Sequence, residues 1–287
     1  MLLHNLISYL AIGDEAFSSL RGIEPQYDPR GRMIFIAGRQ SAVFKVAYEG
    51  RDYALKCYQS TSTLRAERCN YLSTHDPQGL FVHPRYYCNE LWTKEGMIDV
   101  ALYEWVDSRS LGWYIRKAIH DNSPSQLQKL LAQFCRLASN ILDQEWRHGD
   151  LKIENIVLRE SDREMVLVDC DALYAPSLTP SGELGTPNWV HPARGENYDA
   201  HIDDYGIALL VVSLAALALN PQLFVGECAV AIPSLGNRSE IAKLLAPYEE
   251  LTTLHEALYN QTYIIDNLNH NLRCIEHLSH DLTKQPL

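Results

Sequence analysis

The chain has 287 residues, enough to bury a sizeable core in one large domain or in two lobes. Its hydrophobic fraction of 46% and charged fraction of 21% are typical of globular proteins and exclude a disordered chain. The formal net charge of -11 argues against non-specific binding to nucleic acid or to an anionic membrane.

The seven cysteines include no CxxC pair, which indicates free thiols and neither a disulfide framework nor a zinc site. The longest apolar run, Ile207 to Leu219, is too short to span a bilayer and predicts a buried core helix. The N-terminus carries no basic region and no small-residue cleavage site, so no signal peptide is predicted. We therefore expect a cytoplasmic protein.

The N-terminal third of the chain predicts a short helical extension followed mainly by strands from Met33 to about Glu104. Residues 1–30 place apolar side chains at helical spacing and end in a loop, which predicts a small N-terminal helical extension. Beyond it the predicted elements are strands at Met33–Ile36, Val43–Tyr48, Tyr53–Tyr58 and Ile98–Tyr103, and one helix at Leu64–Leu72. The polar turn at residues 49–52 joins two of these strands into a hairpin.

After Val106 the helical period dominates. Apolar stripes predict helices through Leu111–Ile119, Leu127–Leu142, Ile241–Leu245 and Leu251–Tyr259, besides the core helix. Two short strand-like runs, Ile156–Leu158 and Met165–Val168, flank a polar turn. The predicted class is α+β, with a β-rich part at 31–106 and a larger helical part at 107–287.

The stretch from His148 to Asn155 is the most informative part of the sequence. It places an Asp, a Lys two residues later and an Asn five residues later on one loop, and Asp169 follows at the end of an apolar run. Phosphoryl transfer from a nucleotide needs a group that orients the attacking hydroxyl and charges that hold metal ions and phosphates. These residue types at this spacing supply both.

The chain resembles the eukaryotic-like (Hanks-type) protein kinases, especially the bacterial Ser/Thr kinases, over residues 33 to about 260. Five motifs in order carry the resemblance: Tyr53–Lys56, His148–Asn155, Asp169–Asp171, Gly185–Pro192, and Asp203 followed by the apolar run to Leu219. The resemblance implies a bilobal fold, with a small antiparallel β-rich N-lobe that has one main helix and a larger helical C-lobe.

The resemblance also assigns roles in catalysis. Asp150 is the expected catalytic base, and Lys152 is expected to neutralise the transferring phosphoryl group. Asn155 and Asp169 are the expected Mg²⁺ ligands. Lys56 is expected to hold the α- and β-phosphates of ATP and to pair with Glu67 on the following helix.

Nucleotide contacts are expected from two further places. The phosphate-covering loop keeps Gly38 and Val43, but Ile36 and Ser41 stand where its template has the first and third glycines. Ala54 lies on the strand of Lys56. Backbone groups of Glu104 and Val106 are expected to face adenine.

Three residues bear on substrate and control. Thr186, in a segment that resembles a peptide-docking platform, is expected to contact the Asp150–Lys152 pair. His148 is expected to be structural, through a hydrogen bond to the backbone near Asp169. Gly149 replaces the Arg with which many kinases bind a phosphorylated activation segment, so phosphorylation of Ser177, Thr179 or Ser181 is predicted to be unnecessary for activity.

The sequence leaves three functions open. The first is a Ser/Thr protein kinase that acts with ATP and Mg²⁺ on a protein of unknown identity. The second is a pseudokinase-type module for nucleotide binding or scaffolding, which the depleted glycine-rich loop and Asp171 favour. The third is a small-molecule kinase, because aminoglycoside kinases share the His-Gly-Asp loop. No nucleic-acid or membrane partner is expected.

Overall fold

The computed structural model describes residues 3–38, 41–224 and 238–282. The chain divides into two units, Met1–Asp107 and Ser108–Leu287. Antiparallel sheets and several helices make up the described residues, which confirms the α+β class. Within these ranges no helix is both long and apolar enough to cross a bilayer. Cys228 lies outside them, and the other six cysteines are free thiols, as predicted.

An antiparallel sheet forms the centre of the first unit. Its strands are β1 (Glu24–Pro25), β2 (Phe35–Ala37), β3 (Ser41–Tyr48), β4 (Arg51–Tyr58), β5 (Pro84–Thr93) and β6 (Gly96–Glu104). Their order is β1-β3-β4-β6-β5, and β2 pairs with β3. The predicted β3–β4 hairpin is confirmed, and it turns at Glu49 and Gly50, whose positive φ angles suit a two-residue hairpin turn.

One face of this sheet packs against the N-terminal residues. Helix α1 (Leu3–Leu10) and the following segment bury Leu10 and Phe17 in one core with Phe44 and Leu55. Strand β3 alternates buried and half-buried residues, so its other face carries Ser41, Val43 and Lys45. The segment at 1–30 therefore supplies the apolar cover of one sheet face.

Helix α2 (Thr63–His75) is fixed to the sheet by a buried carboxylate. Asp99 accepts hydrogen bonds from Ser62 N at 2.9 Å, from the Tyr86 hydroxyl at 2.6 Å and from Asn89 N at 2.8 Å. Three donors compensate the cost of burying this charge. Asp99 thus joins the start of α2 to β5 and β6.

The second unit is mainly helical. Its helices are α3 (Leu111–His120), α4 (Pro124–Leu142), α5 (Asp204–Leu219), α6 (Arg238–Leu245), α7 (Glu249–Ala257) and α8 (Leu268–Leu278), and its strands are β7 (Ser108–Ser110), β8 (Ile156–Arg159) and β9 (Met165–Leu167). Helix α5 is apolar and buried nearly all round, which confirms the predicted core helix. It contacts α4 and α7, and β8 pairs with both β7 and β9.

Candidate functional site

The loop between α4 and β8 is held by the buried carboxylate of Asp203, just before α5. Asp203 Oδ2 accepts a hydrogen bond from His148 N at 2.6 Å, and Oδ1 accepts one from Gly149 N at 2.9 Å. Burial raises the pKa of Asp203, and the two N–H groups oppose that rise. The core helix therefore fixes the backbone directly before Asp150.

The ring of His148 is buried and bonded on both sides. Nε2 lies 3.0 Å from Val168 O, and Nδ1 accepts a hydrogen bond from Asp150 N at 3.2 Å. The two contacts fit the tautomer that carries its hydrogen on Nε2. The predicted structural role of His148, with a bond to the backbone beside Asp169, is confirmed.

Position 149 is a glycine for a steric reason that the sequence does not reveal. Its φ is +83°, and a Cβ built at this position would lie 2.0 Å from Ala172 O. No side chain fits such a contact, so this backbone excludes arginine as well as alanine. The glycine is thus required by the packing of the loop against the turn after Asp169.

Asp150, Lys152 and Thr186 form a connected polar chain. Lys152 Nζ donates to Asp150 Oδ2 at 2.5 Å and to Thr186 Oγ1 at 2.6 Å. This is the contact expected for Thr186. The other carboxylate oxygen, Asp150 Oδ1, is buried and accepts no hydrogen bond among the described residues. A buried acceptor of this kind is costly unless something donates to it.

Asn155 and Asp169 lie at the same end of the β8–β9 hairpin. Val168 N donates to Asn155 O at 2.9 Å, which continues the ladder of the two strands by one more pair. Asn155 Nδ2 donates to Asp150 O at 2.9 Å, which leaves Oδ1 as the remaining acceptor of the amide. Asp169 adopts the left-handed conformation, with φ +69°. One carboxylate and one amide oxygen thus come from neighbouring positions.

These two oxygens fit Mg²⁺ better than they fit a metal ion that takes all of its ligands from the protein. Within the described residues no three His, Cys, Asp or Glu side chains are grouped so that they could hold a metal ion. Mg²⁺ is usually bound by one or two protein oxygens, with waters and substrate phosphates as its other ligands. The donor set of Asn155 and Asp169 agrees with that chemistry.

The segment that contains Thr186 is anchored by Arg194, which sequence reasoning missed. Arg194 is buried, and its Nε donates to Asn197 O at 3.1 Å, with Nη1 3.5 Å from Leu184 O. A Cβ on Gly185 would lie 3.2 Å from Gly149 O, so this segment packs directly on the loop of Asp150. The only signal in the sequence for a role of Arg194 was its position next to the apolar Ala193.

In the first unit four of the expected nucleotide residues share one sheet face. Val43 is opposite Lys56, and Lys56 is opposite Ala101, so these three side chains lie on the same face. Ser41 and Ala54, two residues along their strands, lie on that face too. It is the face opposite Phe44 and Leu55.

Lys56 lies beside an aromatic ring on its own strand. Its side chain is buried, and Nζ lies 5.0 Å from the centre of the Tyr58 ring, whose centre is also 4.4 Å from the Arg65 guanidinium. The pairing of Lys56 with Glu67 stays a prediction. Helix α2 buries Arg68 and leaves Glu67 half-buried, because neighbouring helix positions point about 100° apart.

The remaining predicted residues lie at the ends of strands. Gly38 N donates to Ser41 O at 2.8 Å and closes the turn between β2 and β3, whereas Arg39 and Gln40 of the loop lie outside the described residues. Glu104 is the exposed last residue of β6, and half-buried Val106 follows two residues later. Their backbone positions are therefore accessible at the end of the first unit.

No protein-family model matches this chain, and no curated protein matches it. The function is therefore inferred from the residues and their geometry alone.

Proposed function

We propose that this protein is an ATP- and Mg²⁺-dependent Ser/Thr protein kinase that transfers the γ-phosphoryl group to a protein hydroxyl. The proposal includes the bilobal kinase fold, with the first unit as the smaller β-rich lobe and the second unit as the larger helical lobe. The resemblance of five ordered motifs supports it, and so does the geometry around Asp150.

The observation that carries the proposal is the buried Asp150 Oδ1. This oxygen accepts no hydrogen bond among the described residues, while Oδ2 is bonded to Lys152 and Lys152 to Thr186. A substrate hydroxyl that donates to Oδ1 would satisfy it and would be oriented for attack, with its proton passing to the carboxylate. Lys152 would then neutralise charge on the transferred group.

Two positions would hold Mg²⁺, namely Asn155 Oδ1 and the carboxylate of Asp169. When bound, the ion supplies positive charge that offsets the charge of the phosphates. The chain's own groups position the hydroxyl, and Asp203 and His148 hold the loop in place through the hydrogen bonds given above. Lys56 is the residue that the resemblance assigns to the phosphates of ATP.

The test is transfer of label from radiolabelled ATP, with Mg²⁺, to the protein itself or to a generic basic substrate. Asp150→Asn should lower the rate about 10²- to 10⁴-fold, since it removes the base while keeping the shape of the side chain. Asp162→Asn is the matched control, because Asp162 is an exposed carboxylate in the β8–β9 turn. Equal labelling by the wild type and Asp150→Asn would refute the proposal.

A pseudokinase-type binding module is the second candidate, and one observation favours it. Ile36 and Ser41 stand where the phosphate-covering loop of active kinases has glycines, which would reduce the close approach of this backbone to phosphate. A thermal shift caused by Mg²⁺ and ATP, without transfer to any protein, would select this candidate. Transfer to an aminoglycoside but to no protein would select a small-molecule kinase instead.

A further inference from the structure

A cavity of about 600 Å³ lies in the second unit, and neither Asp150 nor Asp169 lines it. Its walls come from α3, from α4 and from the turn between β8 and β9. Four of its lining side chains are cationic, namely Lys117, Lys129, Arg136 and Arg163. Asp121 is the one carboxylate among the described residues that line it.

This charge distribution is opposite to that of the chain as a whole. The protein has a formal net charge of -11, with 36 acidic residues against 25 basic ones. Asp121 pairs with Lys117 and Glu276 pairs with Arg136, so the four cations still leave a net positive charge at this concave site, which is a local reversal of sign. Like charges are not gathered in a cavity without cost, because they repel one another where the walls limit access of solvent.

The cationic groups are held in place but keep donors to spare. Arg136 Nε pairs with Glu276 Oε1 at 2.9 Å, and Arg163 Nη1 donates to the Tyr114 hydroxyl at 2.9 Å. Each contact occupies one edge of a guanidinium that has five N–H donors. Orientation by one partner, with the remaining donors available, is suited to binding carboxylates.

The floor of the cavity is apolar. Ala118, Leu130 and Leu158 are buried side chains that also line it. The cavity therefore offers a small apolar surface beneath a cationic rim. An occupant that combines carboxylates with an apolar side chain matches both parts.

We propose that this cavity, called the cationic groove from here on, binds an acidic peptide segment of a partner protein. The carboxylates of the peptide would lie on the four cations, and an apolar side chain would lie on the floor. A nucleic acid fits less well, because its long phosphate backbone would extend from the groove over a protein of strongly negative net charge. The groove also presents an apolar floor, which a phosphate backbone does not use.

The test is fluorescence anisotropy with a fluorescein-labelled peptide of alternating Glu, Asp and Leu residues, on the full chain. Charge reversal by Lys129→Glu should weaken binding at least about tenfold, since it removes one attraction and adds a repulsion. Lys243→Glu is the matched control, because Lys243 is also an exposed helical lysine of the second unit but lies outside the groove. We expect the control to bind within about twofold of the wild type.

Three outcomes would overturn the inference. They are equal binding by Lys129→Glu and Lys243→Glu, equal binding of a peptide with Gln and Asn in place of Glu and Asp, and tighter binding of a single-stranded DNA oligonucleotide. Arg163→Gln provides a second variant at the groove, and its binding should also weaken. Unchanged thermal unfolding would show that each variant is folded, and the assay requires no phosphoryl transfer.

Discussion

Alanine at position 149 is the sharpest perturbation that the structure suggests. A Cβ there would lie 2.0 Å from Ala172 O and 2.8 Å from Ala172 C, far inside any normal contact. The backbone would have to move by about 1 Å to relieve the overlap. Because Gly149 N is bonded to Asp203 Oδ1, that movement would also strain the bond that anchors the loop.

Two costs contribute to the expected destabilisation. A non-glycine residue with φ near +83° costs about 1–2 kcal/mol, and forced overpacking costs about 1–3 kcal/mol. Gly149→Ala should therefore lower the free energy of unfolding by about 2–5 kcal/mol. Gly182→Ala is the matched control, because Gly182 has φ +73° but a Cβ added to it would meet no atom within 4 Å. Gly182→Ala should therefore cost only the free energy of the positive φ angle, about 1–2 kcal/mol.

Urea unfolding of the two variants, followed by tryptophan fluorescence, measures the difference. Trp146 and Trp189 are buried near the loop in the second unit and report on its unfolding. The midpoint for Gly149→Ala should lie clearly below that for Gly182→Ala, by an amount that corresponds to about 1–3 kcal/mol. Equal midpoints would refute the steric account of Gly149.

Three further predictions concern the second unit. Burial raises the pKa of Asp204 to about 6, so the wild type loses stability as pH rises from about 4 through 6 and this carboxyl group is deprotonated. At pH 7 the free energy of unfolding of Asp204→Asn should exceed that of the wild type by about 2–3 kcal/mol, and at pH 4 the two should be nearly equal. Urea titrations at the two pH values measure this difference. Combined Ser177→Ala, Thr179→Ala and Ser181→Ala should keep wild-type labelling rates, because Gly149 offers no cation to a phosphate there. Arg194→Gln should raise the KM for the protein substrate severalfold without changing the nucleotide-induced thermal shift.

The elements that the sequence predicted well have strong periodicity. The β3–β4 hairpin alternates around a short polar turn, and α4 carries a long apolar stripe, so local physics alone specifies them. Strand β5 was not predicted, because Asn89 and Glu90 interrupt its pattern where the pairing with β6 is irregular. Only pairing with β6 makes that segment a strand.

In the candidate site, too, some predictions depend only on local sequence and others depend on tertiary packing. The spacing of Asp150, Lys152 and Asn155 on one loop was sufficient to predict that they act together, because residues so close in sequence cannot be far apart. The pairing of Lys56 with Glu67 was a different kind of prediction, since it depends on how α2 is rotated against the sheet. That rotation buries Arg68, and the pairing itself stays a prediction.

By itself the sequence determined the loop that brings Asp150, Lys152 and Asn155 together and the helix that supports it. The tertiary structure decided why residue 149 is a glycine, how Arg194 anchors the segment of Thr186, and how Asp99 fixes α2. Each of these depends on a partner that no local pattern identifies: Ala172 O for Gly149, the carbonyl group of Leu184 for Arg194, and Ser62 N for Asp99. Such contacts form only when folding brings separate segments together, so their physical reason lies in the packed structure.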